Sequence, residues 1–522
     1  MLTLAVAATT LLASQASNLP SVQIDWTGQP VPISALIYGA NDSQYHHIKW
    51  SMFRLGGNAA TTYNWENNFD NAGSDWKQSS GYGWTMRHTP VANRSVPAAA
   101  IINHHETALQ MGARSIVQVN LMGYVAADGD GSVLESEKAP SKRWVAVKPK
   151  KPGPFATKPD LSDGVVYIDE MVHHLVQKYG PASSSRGIYG YSLDNEPGLW
   201  HHTHPYAHPE KTGAKELVEK SIAAAIAIKA VDPTAKIHGF APFGVHEYMA
   251  LTGAPDWPEI QKQNGYAWYI DYYLDEFAKA SKREGKRLLD TLDLHFYVGG
   301  GVIEEGGIDA QLQSPRAMWD RSYTEQSWLG EVHPTFFPLI PRIKKSITKY
   351  FPKTELAFSE WNTERPTTLT GGVSTADMLG VFGQEGVHSA MWWSLLGENL
   401  TPAQLAPSKS AFELFRNFDG KGGSFGDLGY SVKNPDAKAL SIHASKNSAT
   451  GNLHLIMIGK RRHVPIKFQV ALPETGLKVI SSVGFGQTFT NSLGPVKCAK
   501  VDGKWLEVEL PKQCAVHLVL SK

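Results

Sequence analysis

The sequence predicts a TIM-like (β/α)8 barrel followed by a C-terminal antiparallel β-sandwich. Up to about residue 420, eight short β-rich runs alternate with helical stretches. Long insertions rich in glycine, proline and aromatic residues follow several of these runs, as the loops at the mouth of a barrel do. Beyond the glycine-rich stretch 420–429, short alternating runs continue without any helical stretch, which is typical of a sandwich.

Barrel strands are predicted where short apolar runs lie between turn-forming segments, because strands buried on both faces are apolar throughout. They are 35–40, 52–56, 115–121, 187–193, 236–241, 289–297, 355–360 and 389–395. Apolar stripes and alanine-rich composition predict helices between them, at 98–111, 169–179, 215–231, 268–284, 337–350 and 375–385. Loop insertions are predicted at 59–97, 122–165, 198–213, 242–266 and 298–335.

Four parts of the chain differ in character. Residues 1–18 form an apolar leader that resembles a signal region, without the usual basic residue near its start, so we expect the protein to be secreted. Residues 19–34 carry an alternating run at 21–26, which we expect to join the sandwich as a strand. Residues 35–420 are the predicted barrel. Residues 421–522 are the predicted sandwich, with strands at 440–444, 453–459, 466–472, 479–485, 504–510 and 515–520.

Composition narrows the classes of function. The formal net charge of +1 indicates neither a nucleic-acid partner nor an anionic membrane, and no further segment is long and apolar enough to span a bilayer. Cys498 and Cys514 lack a Cys-x-x-Cys pattern, which leaves a disulfide and two free thiols as alternatives. The 15 tryptophans fit either a large core or a cleft in which aromatic rings cover sugar faces. We expect a monomer.

Two glutamates at strand ends are the strongest functional signal. Glu196 lies in Asp-Asn-Glu-Pro after the fourth run, and Glu360 lies in Ser-Glu-Trp-Asn at the end of the seventh. Because the carboxyl ends of barrel strands meet at one mouth, we expect the two carboxylates to face each other across it. Glycoside hydrolysis needs such a pair, about 5–5.5 Å apart in retaining enzymes and roughly 6.5–9.5 Å apart in inverting ones. Taken alone, either glutamate is more simply explained as a surface residue or an ion-pair partner.

Three polar neighbours suit this chemistry. Asn195 precedes Glu196 and is a candidate hydrogen-bond partner of a sugar 2-hydroxyl, or else the cap of a turn. Arg54, near the end of the second run, is a cation that favours the ionised form of Glu360, or else a member of a structural ion pair. Tyr297, at the end of the sixth run, is a hydrogen-bond donor to the same carboxylate or a core aromatic residue.

Several longer motifs resemble glycoside hydrolase family 44. They are Arg-Leu-Gly-Gly-Asn-Ala at 54–59, Tyr-Asn-Trp-Glu-Asn at 63–67, Ser-Leu-Asp-Asn-Glu-Pro at 192–197, Leu-His-Phe-Tyr at 294–297 and Phe-Ser-Glu-Trp-Asn at 358–362. The resemblance covers essentially the whole chain beyond the leader. It implies a retaining endo-β-1,4-glucanase with Glu196 as acid/base and Glu360 as nucleophile. It also implies action on cellulose-type and mixed-linkage glucans, xyloglucan and sometimes xylan, with His295 among the substrate-binding residues.

Four aromatic residues are candidates for sugar-binding platforms, with core packing as the alternative for each: Trp65, Trp328, Trp392 and Tyr206. Trp65 and Trp392 stand directly beside strand-end motifs. Because side chains alternate along a strand, one of Trp392 and Trp393 faces the mouth and the other faces the outer helices.

Two other functions compete with glycoside hydrolysis. A histidine-dense loop, with His201, His202, His204 and His208, suggests a metal-dependent hydrolase, although its spacing does not match His-Glu-x-x-His. A non-catalytic carbohydrate-binding protein is the second alternative, and the presence of both glutamates with their polar neighbours argues against it.

No cofactor is expected for the chemistry. A structural calcium ion is expected from the resemblance, and Glu66, Asp160 and Asp163 supply hard oxygen ligands on the long loops. Asp160 and Asp163 are equally well explained as a turn residue and a helix cap.

Overall fold

Eight parallel strands close into the predicted barrel. The structure, a computed structural model, describes residues 19–41, 48–298, 307–394, 401 and 403–522, so the predicted leader 1–18 lies outside the described residues. The barrel strands, in order around the barrel, are Gly39–Ala40, Met52–Leu55, Arg114–Val119, Gly190–Leu193, Lys236–Phe240, Thr291–Tyr297, Glu355–Asn362 and Ser389–Trp392. We number them as barrel strands 1 to 8. The predicted fold class is therefore confirmed.

Helices pack around the outside of the barrel. They are Ala99–Gln110, Ile168–Tyr179, Ala214–Val231, Tyr269–Glu284, Leu339–Tyr350, Leu369–Gln384 and Ala406–Arg416. The last was not predicted, and Leu369–Gln384 begins well before its predicted start at 375. Gly371 and Gly372 give no helical signal, but a Cβ at Gly372 would lie 2.7 Å from the carbonyl carbon of Pro407, so close packing favours glycine there. Shorter helices lie in the loops at Trp200–Thr203, Val245–Ala250, Trp257–Asn264, Gly307–Gln313 and Trp328–Val332.

No described helix combines the length and the apolar character that a membrane crossing requires.

Two small sheets form largely within the loop insertions predicted at 59–97 and 122–165. One contains Asp70–Asn71, Ser79–Gly81 and Gly131–Ser132, and the other contains Tyr124–Ala126, Trp144–Lys148 and Val165–Tyr167. Their strands are too short to give an alternating pattern, which is why sequence periodicity did not indicate them. The first sheet carries part of the cleft described below.

The C-terminal region forms two sheets. A seven-stranded sheet contains Val31–Pro32, Leu428–Tyr430, Leu440–Lys446, Leu453–Gly459, Cys514–Ser521, Lys478–Gly486 and Gly494–Pro495. A five-stranded sheet contains Val432–Lys433, Ser21–Ile24, Ile466–Ala471, Trp505–Leu510 and Ala499–Asp502. The N-terminal strand pairs antiparallel with Val432–Lys433 but parallel with Ile466–Ala471, so the domain is not wholly antiparallel. Cys498 and Cys514 are buried free thiols.

A buried ionic network joins the sandwich to the barrel. Asp377, on helix Leu369–Gln384, lies 2.7 Å from Lys460 Nζ and 2.9 Å from His443 Nε2, and all three side chains are almost fully buried. A Cβ at Gly380 on the same helix would lie 2.1 Å from the His443 ring, so glycine lets the ring approach the helix. The two domains therefore share a fully desolvated polar contact.

Candidate active site

A bulge near the end of barrel strand 7 turns Glu360 into the barrel mouth. The register against strand 6 shifts so that Phe358 pairs with Leu294 and Glu360 pairs with His295, which leaves Ser359 as the extra residue. Phe358 and Trp361 both contact Phe382 on the outer helix. Strict alternation would have sent Glu360 outward with Phe358, whereas the bulge directs it inward.

Glu196 is held by a strained turn after barrel strand 4. Asp194 and Glu196 both have left-handed backbone angles, with φ of 64° and 43°. The buried Asp194 carboxylate fixes the turn by accepting hydrogen bonds from Thr61 Oγ1 at 2.7 Å and from the backbone N–H groups of Asn195 and Met122. The backbone N–H of Glu196 itself donates to Ala241 O at 2.8 Å. The turn thereby places the side chain of Glu196 at the carboxyl end of the barrel.

Arg54 is fully buried and connects the segments that carry Glu196 and Glu360. Its Nη1 donates to Glu360 Oε1 at 2.8 Å and to Asn41 Oδ1 at 3.1 Å, and its Nη2 donates to Asn195 Oδ1 at 2.7 Å. Because Asn195 Oδ1 accepts from Arg54, the Asn195 amide nitrogen is left as the donor of that side chain. Tyr297 completes the set, since its hydroxyl donates to Glu360 Oε2 at 2.7 Å.

Asn41 was missed by the sequence reasoning. Its Nδ2 donates to Ser359 O at 2.7 Å and to Met391 O at 3.2 Å, so it links strands 7 and 8 beside Arg54. The available signal was its position directly after the first barrel strand, the same position relative to a strand that drew attention to the glutamates.

His295 lies between the two glutamates. Its Nδ1 is 3.0 Å from Glu196 Oε1 and 3.5 Å from Glu360 Oε2, and one atom of each of the three side chains falls within a 4.8 Å cluster. Burial lowers the pKa of His295 to about 3, so the ring is neutral. The negative charge of Glu360 raises this pKa and the positive charge of Arg54 lowers it, both by smaller amounts than burial does. The side chain is fully buried, which places His295 behind the carboxylates rather than on the cleft wall expected of a substrate-binding residue.

The electrostatic surroundings of Glu196 suit a proton carrier. Burial raises the pKa of Glu196 to about 7; the positive charge of Arg54 opposes this rise, and the negative charge of Asp75 adds to it. Burial, together with the charge and the hydrogen-bonded carboxylate of Glu360, raises the pKa of Tyr297 well above its ordinary value, so Tyr297 remains a hydrogen-bond donor. The site therefore pairs a protonated carboxyl at Glu196 with a carboxylate that Arg54 and Tyr297 hold at Glu360.

An aromatic groove of about 620 Å³ adjoins this site. It carries Asp75, whose charge acts on Glu196, and Asn58, which donates to Asp75 Oδ2 at 2.6 Å. Trp76 is 66% exposed. The ring of Trp393 lies against Gly57. A Cβ at Gly57 would be only 2.8 Å from that ring, so a larger residue would displace it. The aromatic residues of the groove are Trp76, Tyr82, Trp84 and Trp393.

Comparisons with known proteins agree with this geometry. The model of glycoside hydrolase family 44 matches residues 69–299. Endoglucanase A of Paenibacillus lautus is 40% identical over 513 residues, which cover 95% of this chain and 72% of that protein. This chain belongs to glycoside hydrolase family 44. A family 44 endoglucanase from Clostridium thermocellum shares the fold with a TM-score of 0.89 and 38% identity, over 96% of this chain and 99% of that one. A family 44 xyloglucanase from Paenibacillus polymyxa, solved with xyloglucan, has a TM-score of 0.89 and 39% identity over the same shares.

Two of the four predicted sugar platforms of this family 44 enzyme are buried. Trp65 is 2% exposed and packs beside His174, and Trp392 is 1% exposed and stacks on Trp50. Neither presents a ring face to the groove, so both predictions are wrong. The alternation argument was sound, but it is Trp393 that faces the mouth.

The other two predicted platforms have accessible surface. Trp328 is 37% exposed and stacks on His246, with ring centroids 5.3 Å apart. Tyr206 is half-buried, and the Lys138 ammonium lies 5.1 Å from its ring centroid. Neither lines the aromatic groove, so a role in sugar binding remains a prediction for both.

The histidine-dense loop does not converge on one point. His204 is buried with Nε2 3.0 Å from Asn58 O, whereas His208 lies 3.0 Å from Glu216 Oε1. His201 and His202 contact each other. In the part of the chain that the structure describes, the cluster with the spacing of metal ligands is Glu196, His295 and Glu360. The Arg54 guanidinium already neutralises that cluster, which disfavours a cation there.

The three predicted calcium ligands lie near one another. Burial raises the pKa of Glu66 to about 8, and the charges of Asp163, Glu170 and Asp160 add to this rise, while Lys151 opposes it. Asp160 Oδ1 accepts from Ser162, and Asp163 Oδ1 accepts from Val165 N, so both also serve as turn residues. Lys151 is paired with Glu170 at 2.8 Å. The donor set is oxygen-rich and carries more negative than positive charge, as calcium ligands do. Within the described residues, however, these oxygens do not come together at the spacing of metal ligands. A calcium ion here would draw the loop carboxylates together or take backbone and water oxygens as further ligands.

Proposed function

We propose that this enzyme is a retaining, endo-acting hydrolase of β-1,4-glucans in which Glu196 is the acid/base and Glu360 is the nucleophile. The observation that carries the proposal is the short separation of the two carboxyl groups, whose oxygens lie within 4.8 Å of one another. Retaining glycosidases keep these groups about 5–5.5 Å apart, whereas inverting ones need roughly 6.5–9.5 Å to admit a water molecule.

The first step forms a glycosyl-enzyme intermediate. Glu196, whose pKa of about 7 keeps it mostly protonated below neutral pH, donates its proton to the glycosidic oxygen. Glu360 attacks the anomeric carbon with its carboxylate, and the bond to the leaving sugar breaks with its electron pair moving to the protonated oxygen. Arg54 and Tyr297 hold the two oxygens of Glu360, so the carboxylate is aimed before the substrate arrives.

The second step reverses the role of Glu196. Once Glu360 is esterified, its negative charge is lost and Arg54 has no carboxylate to neutralise. The charge of Arg54 then lowers the pKa of Glu196, which is already deprotonated after the first step. Glu196 takes a proton from water as the water attacks the anomeric carbon and Glu360 leaves. Two displacements restore the original anomeric configuration.

The aromatic groove supports a polymeric substrate. Trp76, Tyr82, Trp84 and Trp393 offer flat rings to the apolar faces of consecutive pyranose units. The groove is open along an exposed surface, which suits attack within a chain. We propose cellulose-type glucans, mixed-linkage glucan and xyloglucan as substrates. One similar protein is named an endoglucanase and another a xyloglucanase, which supports this choice. Xylan is a further candidate that a panel of soluble polysaccharides would separate.

The assignment of Glu360 is tested by trapping the intermediate. A 2-deoxy-2-fluoro-cellobioside with a good leaving group should inactivate the enzyme, and peptide mass analysis should find the sugar on the peptide that contains Glu360. The variant Glu360→Gln should remain unlabelled and Glu355→Gln, at the other end of the same strand, should be labelled normally. A label on Glu196 would contradict the assignment.

A structural calcium ion is proposed at the Glu66 cluster. The clustered negative charge around Glu66 disfavours the folded state, and a bound divalent cation would offset it. We expect calcium chloride to raise the melting temperature relative to EDTA, and Asp163→Asn to weaken that effect. Activity of the chelated enzyme should persist. Equal melting temperatures in calcium and EDTA would contradict the proposal.

Export and a monomeric state complete the proposal. A glucan chain is too large to enter a cell, which supports action outside it, in line with the signal-like residues 1–18. N-terminal sequencing of protein recovered from the culture medium tests cleavage of the leader, and light scattering tests the monomer.

A further inference from the structure

Two aromatic residues lie side by side on the sandwich. Trp26 follows the N-terminal strand Ser21–Ile24, and Tyr430 ends the strand Leu428–Tyr430. Their ring centroids are 5.2 Å apart and their planes are tilted by 50°. Both rings are half-buried, so each is anchored in the sandwich core and still reaches the surface. The N-terminal strand thus adds a tryptophan to a domain whose C-terminal sequence contains only Trp505.

Tyr430 borders two grooves. One, of about 250 Å³, lies between the sandwich and the barrel, and the other, of about 340 Å³, lies on the side of Trp26. Residues of the first groove include Trp319, Gln384, Gln29 and Asn434, and those of the second include Thr450 and Asn452. A chain that crosses the aromatic pair would contact both grooves.

The lining of the two grooves mixes apolar and polar groups and carries few charges. Its polar groups include the amides of Gln29, Asn434 and Asn452, which can hydrogen-bond sugar hydroxyls. The two acids among the groove residues are both paired with lysines: Glu385 with Lys344 at 3.6 Å and Glu474 with Lys522 at 2.6 Å. Uncharged hydrogen-bonding groups beside aromatic rings favour an uncharged polyol over an ionic ligand.

Part of this lining is fixed in place by the domain interface. Gln384 Oε1 lies 2.9 Å from His443 Nδ1, and the other ring nitrogen of His443 lies 2.9 Å from Asp377. The amide of Gln384 is therefore oriented by the same network that joins the barrel to the sandwich. A preoriented group loses little freedom on binding a ligand.

The grooves lie away from the catalytic mouth. Gln384 is the last residue of helix Leu369–Gln384, which runs back from the carboxyl end of strand 7 to the start of strand 8. The carboxyl ends of the strands form the mouth, so Gln384 lies at the opposite end of the barrel. A glucan segment bound here is therefore distinct from the segment being cleaved.

We propose that the surface formed by Trp26, Tyr430 and their two grooves is a second binding site for a β-linked glucan chain. The inference rests on the proposed function, since it takes the same class of polymer as ligand. Holding a second segment of the polymer keeps the substrate near the enzyme after each cleavage and raises its effective concentration at the cleft.

Affinity electrophoresis of the full-length chain tests the proposal. In the Glu360→Gln background, which leaves the polymer intact, migration is compared in gels with and without soluble xyloglucan. We expect Tyr430→Ala and Trp26→Ala each to weaken retardation at least threefold, and Tyr430→Phe to retain it. Trp505→Ala, which removes another surface tryptophan of the sandwich, is the matched control. Retardation of Tyr430→Ala equal to that of Trp505→Ala would overturn the proposal.

Two further measurements separate loss of the second site from misfolding of the aromatic variants and from failure of the proposed function. Gln29→Ala changes an exposed side chain of the first groove, so it should fold normally and weaken retardation even if the aromatic variants prove unstable. In the active background, the same variants should hydrolyse a short chromogenic cello-oligosaccharide at the wild-type rate. Failure of the wild-type protein to cleave that oligosaccharide would contradict the proposed function, whereas unchanged retardation of Gln29→Ala and Tyr430→Ala would contradict the second site.

Discussion

Arg54 Nη1 lies 2.8 Å from Glu360 Oε1 inside the barrel mouth, and the arginine is completely buried. The same guanidinium holds Asn195, so a single cation fixes both Glu360, the proposed nucleophile, and the residue next to Glu196, the proposed acid/base. Its planar fork is essential to this arrangement, because a lysine ammonium cannot reach both partners in the same geometry.

Arg54→Lys should therefore retain the charge but lose activity. We expect kcat to fall by about 10²-fold or more, because misplacement of a reacting group by 1 Å has that effect. Arg54→Met should also lower the free energy of unfolding by about 3–5 kcal/mol, since it leaves Glu360 as a buried unpaired charge. Arg114→Lys, on the exposed start of strand 3, is the control and should change neither quantity. Normal turnover in Arg54→Lys would show that the fork is not needed.

The value of kcat/KM should fall above about pH 7, because Glu196 loses its proton there. Asp75 carries a negative charge that raises the pKa of Glu196, because like charges disfavour ionisation. Asp75→Asn removes that charge, so the alkaline limb should move to lower pH. Asp130→Asn removes an exposed acid elsewhere and should leave the profile unchanged. An alkaline limb that stays in place in Asp75→Asn would refute the coupling of these two groups.

Removal of Trp76 should weaken substrate binding, whereas removal of Trp392 should weaken the fold. Trp76→Ala, in the groove, should raise KM for a soluble glucan by roughly tenfold, the effect of losing about 1.4 kcal/mol of binding, while the melting temperature stays near the wild-type value. Trp392→Ala, in the core, should instead lower the free energy of unfolding by about 3–5 kcal/mol. Thermal melts and polymer kinetics on both variants separate the two roles. A stable Trp392→Ala with raised KM would restore the original platform prediction.

The Asp377–Lys460 pair should make the free energy of unfolding depend on pH. Burial opposes ionisation of Asp377, but Lys460 and His443 hold its pKa well below the ordinary value. The stabilisation is therefore present above the ordinary pKa of an aspartate, near pH 4, and is lost as the pH falls further. Asp377→Asn should cost about 3–5 kcal/mol at neutral pH, because Lys460 is left buried and unpaired.

Asp377→Leu combined with Lys460→Met should recover part of that loss, because no uncompensated charge remains. Glu509→Gln breaks an exposed ion pair to Lys467 in the same domain and should cost less than about 1 kcal/mol. If Asp377→Asn unfolds at the same denaturant concentration as Glu509→Gln, the domain junction does not depend on this network.

The barrel and the glutamate pair could be predicted because both leave short-range signals. The apolar runs that lead into Glu196 and Glu360 are visible in the sequence. The positions of Arg54 and Tyr297 could be predicted because each lies at or near the end of a barrel strand. The bulge at Ser359 could not be predicted, since it arises from pairing with strand 6 and leaves no local pattern. Likewise, the alternation of side chains along a strand predicts that one of Trp392 and Trp393 faces the mouth, but it does not say which one.

Long-range packing explains the remaining differences. Trp65 stands beside a strand-end motif, yet its ring is covered by residues distant in sequence, among them His174. The groove residues Trp76 and Trp84 lie in short turns that flank the strands of a small sheet. Those strands have only two or three residues, which is too short for a periodic pattern. The pairing of 21–26 with the C-terminal sheets was expected, but its parallel contact with Ile466–Ala471 depends on tertiary structure alone.

The anomeric configuration of the first product tests the central claim most directly. Proton NMR during hydrolysis of a reduced cello-oligosaccharide resolves the α and β anomers before they equilibrate. Double displacement at Glu360 predicts that the β anomer appears first and the α anomer grows only by mutarotation. Initial appearance of the α anomer would contradict the roles assigned to Glu196 and Glu360.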